Sequence, residues 1–141
     1  MWFVVHAAVG AAIGSVLGQR LWLIVVAAFL SHGVIDLVPH WDYTGGFFSI
    51  YVYGILDVMA GLSLLAVLVR RRAIKLPVVL GGLVAALPDV DYVLNDLGVF
   101  SSSYYVSHLD FFPHGSATIL PGLLSQLVVV VLAVVVVTKR S

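Results

Sequence analysis

Residues 115–138 read GSATILPGLLSQLVVVVLAVVVVT, a stretch without one charged side chain. A helix needs about 20 mostly apolar residues to cross the hydrocarbon core of a bilayer. This stretch is long enough, and the runs Val128–Val131 and Val134–Val137 leave no polar face for water. Pro121 is expected to kink it near one end. Working outward, four more apolar stretches meet the same criterion, at about 2–19, 21–38, 47–69 and 74–93. Each is short enough to imply some tilt or local thinning of the bilayer. The expected fold is therefore all-α: a polytopic membrane bundle of about five transmembrane helices forming one domain over residues 1–141. The tight turn Gly18-Gln19-Arg20 joins the first two.

Composition agrees with lipid as the solvent. Of 141 residues, 62% are hydrophobic and 10% charged, whereas soluble domains carry about 25% charged residues. Formal net charge is zero, which removes any bulk electrostatic case for binding nucleic acid. Cysteine is absent, so disulfides and thiolate metal sites are excluded. No basic region precedes the first apolar run, so it reads as a retained span and not as a cleaved signal peptide.

With five spans, every Lys and Arg falls on one side: Arg20, Arg70, Arg71, Arg72, Lys75, Lys139 and Arg140. The positive-inside rule makes that side cytoplasmic, with the N-terminus outside and the C-terminus inside a cytoplasmic membrane. All seven aspartates and all five histidines fall toward the opposite side, as do most aromatic residues. Sorting of cations does not explain where carboxylates go. Their gathering at one end needs a second cause.

Pro39-His40-Trp41-Asp42-Tyr43 closes the second span, and Pro88-Asp89-Val90-Asp91-Tyr92 closes the fourth, 49 residues later. The chain thus reads as two repeated helical hairpins plus a fifth helix led by His114, and repeats of this kind often build a site at their interface. Gly10, Gly14 and Gly18 on the first span, with Gly81/Ala85 and Gly82/Ala86 on the fourth, form small faces suited to close helix packing.

His32 and Asp36 stand four apart and share a helix face, which His40 continues if the helix survives Pro39. Asp57 lies inside the third span, with no Lys or Arg on its side to pair with it. A carboxylate at such depth needs a cation, a proton or water. Asp89 and Asp91 sit together at a helix end. His6, His32, Asp36, Asp57, Asp89, Asp91 and His114 are therefore the expected metal ligands. His and carboxylate donors without thiolate suit zinc, manganese or iron, and the number of donors favours two divalent ions over one. His40 and His108, nearer the rim, are the expected proton carriers.

With His6 near the start, Leu87-Pro88-Asp89-Val90-Asp91 in the middle and a paired-histidine segment before the last span, the chain resembles the membrane-bound metal-dependent hydrolases, also called LexA-binding, inner-membrane-associated hydrolases. That family shows an N-terminal His, a Leu-Pro-Asp-x-Asp motif and a His-Arg-Gly-x-Thr-His-Ser motif. The resemblance implies metal or catalytic positions at His6, Asp89, Asp91, His108 and His114. Here the last motif reads His108-Leu-Asp-Phe-Phe-Pro-His114-Gly-Ser, without Arg-Gly and with one more residue between the histidines. The expected function is hydrolysis of a lipid or lipid-linked ester, a phosphoester above all, at the outer face. The competing readings are a metal or proton transporter, since intramembrane Asp and His also mark ion paths, and a haem protein with paired histidines. The inner halves of the spans lack ionisable residues, so an ion path would stop halfway. The excess of aspartate argues against haem.

Overall fold

A computed structural model describes residues 1–42, 52–70, 75–90 and 114–140. Among these residues the chain forms five helices and no strands: α1 (Phe3–Leu17), α2 (Leu21–Asp36), α3 (Gly54–Val69), α4 (Leu76–Ala86) and α5 (Ile119–Lys139). Each falls within or close to one of the expected spans. Among the described residues only α5, with 21 residues, is long and apolar enough to cross a membrane by length and composition. The 16 residues of α2 or α3 cover about 24 Å at 1.5 Å per residue, less than the roughly 30 Å of a hydrocarbon core.

The shortening has identifiable causes. Pro39 lacks an N–H and disfavours helix at the residue before it, so α2 stops at Asp36 and residues beyond it leave the helical path. The helix does not survive Pro39, so His40 does not continue the His32/Asp36 face. Leu87-Pro88 ends α4 in the same way, after Ala86. Pro121 falls in the first turn of α5, where its missing N–H would have had no intrahelical partner. It begins the helix instead of kinking it.

Gly18 ends α1 with φ +60°, a conformation costly for residues with a Cβ, and its N–H returns to Gly14 O at 3.0 Å. The chain turns there and enters α2 at Leu21, the tight hairpin expected. α1 is central and touches all four other helices, most broadly α4, whereas α3 and α4 meet only narrowly. The α1–α4 contact is made by the two small-residue faces. A Cβ on Gly10 would overlap Gly81 O and Ala85 Cβ, and one on Gly14 would overlap the Pro77 carbonyl.

Apolar side chains occupy both the interior and much of the exterior. Buried positions hold small residues such as Ala7, Ala8, Ala11, Ala28 and Ala85, larger apolar ones such as Val5, Ile24, Val78 and Val137, and also polar ones: His6, His32, Asp36, His40, Asp57 and Gln126. Large apolar side chains face outward on helix after helix, among them Trp22, Val34, Met59, Val67, Leu76 and Leu132. A compact apolar cluster of Ala7, Ala11, Leu65, Leu68, Val78 and Val137 joins α1, α3, α4 and α5.

Candidate metal centre

The start of α1, the end of α2, the turn after α4 and the lead-in to α5 together build the centre. His6 sits in the opening turns of α1, whose first amides are capped from another helix. Phe3 N–H and Val4 N–H donate to Asp57 Oδ2 and Oδ1 at 2.6 and 2.9 Å. His32 and Asp36 lie one turn apart at the end of α2. The stretch after α2 runs beside the lead-in to α5: Gly115 N–H donates to Asp36 O at 2.7 Å and Ala117 N–H to His40 O at 2.8 Å. That pairing brings His114 to the end of α2.

Asp36 is the hub. Its Oδ1 lies 3.1 Å from His6 Nε2, and its Oδ2 lies 3.1 Å from both His32 Nε2 and His114 Nε2. Asp89 adds a second carboxylate, 3.7 Å from His32 Nε2 and 3.9 Å from His6 Nε2. The donor atoms of His6, His32 and Asp36, all buried, lie within 4.8 Å of one another and could hold a metal ion. These approaches are close without being aligned as hydrogen bonds at His6: among the described residues neither of its ring nitrogens has a hydrogen-bond partner, although the side chain is 1% exposed. His32 Nδ1 donates to Ala85 O at 2.9 Å, which fixes the tautomer and leaves the Nε2 lone pair facing the cluster, as outer-shell carbonyls do for ligating imidazoles.

Of the expected ligands, His6, His32, Asp36, Asp89 and His114 converge. Asp57 is not part of the group; both its oxygens accept amides at the α1 N-terminus, where the helix dipole also favours a carboxylate. Asp91 and His108 lie outside the described residues. His40, expected near the rim, is instead buried at 1% exposure. Its Nδ1 contacts Val38 O at 2.7 Å and its Nε2 contacts Asp42 Oδ2 at 3.0 Å, so neither nitrogen is aimed at the cluster.

Two contributors escaped the sequence reading. The Met1 nitrogen lies 2.9 Å from Asp36 Oδ1 and 3.4 Å from Asp42 Oδ1. Burial alone would lower the pKa of this amine, but Asp36, Asp42 and Asp89 outweigh it and raise the pKa above its ordinary value. Burial would likewise raise Asp42, yet the His40 hydrogen bond and the Met1 charge hold it below the usual carboxylate range. Gln126 is the other. It is buried, accepts Trp2 N–H at 3.2 Å and donates to Trp41 O at 3.0 Å, tying α5 to the start of α1 and to the stretch after α2. Its signal in the sequence was a lone amide side chain inside an otherwise apolar helix.

No protein-family model, curated protein or solved structure matches the chain, and the centre is read from its own geometry.

Proposed function

We propose that the chain is a polytopic membrane protein whose His/Asp centre binds zinc, manganese or iron and hydrolyses a lipid or lipid-linked ester, a phosphoester above all. The observation that carries this reading is the convergence of His6, His32 and Asp36 within 4.8 Å in the interior, with an imidazole there that has no hydrogen-bond partner among the described residues. A buried polar group without a partner costs on the order of 1–3 kcal/mol, and a bound cation removes that cost. A metal ion at such a centre polarises an ester or phosphoryl oxygen and supplies a nucleophilic water at neutral pH.

The membrane part of the proposal is supported by the outward-facing apolar side chains of α2, α3, α4 and α5, since water-soluble monomers rarely expose large apolar patches. The helices then cross or enter the bilayer as a tilted group around α1. The cations at Arg20, Arg70, Lys75, Lys139 and Arg140 belong to the opposite helix ends from His6, Asp36, Asp89 and His114, which favours a centre facing outward. The resemblance to membrane-bound metal-dependent hydrolases points to the same chemistry at His6, Asp89 and His114. His108 is the remaining candidate for proton carrier.

The test is incubation of the purified full chain with phosphatidylethanolamine/phosphatidylglycerol vesicles and added Zn²⁺ or Mn²⁺, following release of headgroup or phosphate. Turnover by the wild type, lowered at least about a hundredfold in His32→Ala, is expected, because a lost ligand removes the metal-bound nucleophile. Metal binding without turnover on any of these lipids would contradict lipid hydrolysis.

A further inference from the structure

His6 and His32 stack, with ring centroids 4.0 Å apart and planes inclined by only 19°. An imidazole binds a metal along its nitrogen lone pair, in the ring plane, at about 2.0–2.1 Å. Two stacked planes inclined so slightly do not meet within that reach of both Nε2 atoms. A single ion could satisfy one ring in plane and not the other. One ion for each ring satisfies both.

The carboxylates are arranged across the same pair. Asp36 turns Oδ1 toward His6 Nε2 and Oδ2 toward His32 and His114 Nε2, each at 3.1 Å. Asp89 repeats the pattern, with Oδ2 3.9 Å from His6 Nε2 and Oδ1 3.7 Å from His32 Nε2. Ligand atoms bonded at about 2.0–2.1 Å around a tetrahedral ion stand roughly 3.3 Å apart. The Asp36 distances therefore already match edges of two coordination polyhedra sharing one carboxylate, and Asp89 needs to move in by about half an ångström to match them too.

We propose that the centre is dinuclear, with Asp36 and Asp89 bridging an ion on His6 and an ion on His32 and His114. The inference rests on the metal-binding reading above and deepens it. The two ions are unequal. His32, His114 and one oxygen from each aspartate give one ion four protein ligands, a closed set. His6 and the other two oxygens give its neighbour three, with a position left for water or a substrate oxygen, as catalytic metals require. The Met1 nitrogen, 2.9 Å from Asp36 Oδ1, borders this open ion.

The experiment uses the full chain in detergent, stripped with chelator and titrated with Mn²⁺, with binding counted by calorimetry and the ions observed by electron paramagnetic resonance. Two Mn²⁺ per chain with an exchange-coupled spectrum are expected, since paired sites hold ions about 3.5–4 Å apart. His6→Ala, which leaves one ion with carboxylate oxygens alone, should leave one strongly bound Mn²⁺ with an uncoupled six-line spectrum. One Mn²⁺ per wild-type chain, or two without coupling, would overturn the dinuclear centre and leave the metal-binding reading intact. No bound Mn²⁺, Zn²⁺ or Fe²⁺ would overturn both.

Discussion

Asp57, on α3, accepts the backbone N–H groups of Phe3 and Val4 at the start of α1. The carboxylate thus caps a helix other than its own, and it does so with both oxygens. It sets the register of α1, on which His6 stands one turn further on. Asp57→Ala is expected to lower stability by about 2 kcal/mol, combining a lost cap with a lost favourable charge at the helix N-terminus. Metal content per folded chain should stay at the wild-type value, and affinity should fall about 10–100-fold, the range for residues that orient a ligand. Thermal melting in detergent with elemental analysis checks both. A variant that melts like the wild type but loses a metal equivalent would make Asp57 a ligand.

The α1–α4 contact is the second point of leverage. Because a Cβ on Gly10 already overlaps Gly81 O and Ala85 Cβ, Gly10→Leu should force the two helices apart and carry His6 away from His32, whose Nδ1 is anchored on Ala85 O of α4. Loss of metal and a large fall in melting temperature are expected together. Gly18→Ala, at φ +60°, should cost at least about 1 kcal/mol from backbone conformation while leaving metal content unchanged. Equal metal affinity in Gly10→Leu and wild type would show that the close approach is not what assembles the centre.

The orientation gives a third expectation. A reporter fused after residue 141 should signal from the cytoplasm, and one fused within residues 44–46 from the outer side, because every Lys and Arg belongs to one set of helix ends. The reverse pair of signals would invert the face on which the centre opens, and cytoplasmic signals from both would contradict three crossings between them.

The sequence carried the helices and most of the cluster, because periodic apolar runs and a His32/Asp36 spacing of one helical turn are local signals. Where it failed, the cause was non-local. The expectation that Asp57 needs a cation, a proton or water did not include a helix N-terminus as its partner, and no residue near Asp57 in sequence announces that α1 starts beside it. Whether His40 shares the His32/Asp36 face depended on the helix surviving Pro39, and α2 ends at Asp36. The joining of His114 to Asp36 rests on the Gly115 and Ala117 amides pairing with the stretch after α2, a contact between segments some 80 residues apart that periodicity cannot register.

Elemental analysis of the full chain, purified in detergent without chelator, tests the metal centre most directly. At least one equivalent of zinc, manganese or iron per chain is expected in the wild type, because His6, His32 and Asp36 bring their donor atoms within 4.8 Å in the interior. The Asp36→Asn variant, which keeps the size of the side chain but removes the charge at the hub, should retain its fold and lose most of that metal. Metal-free wild-type protein that also fails to take up added Zn²⁺, Mn²⁺ or Fe²⁺ would contradict the centre, and with it the hydrolytic reading.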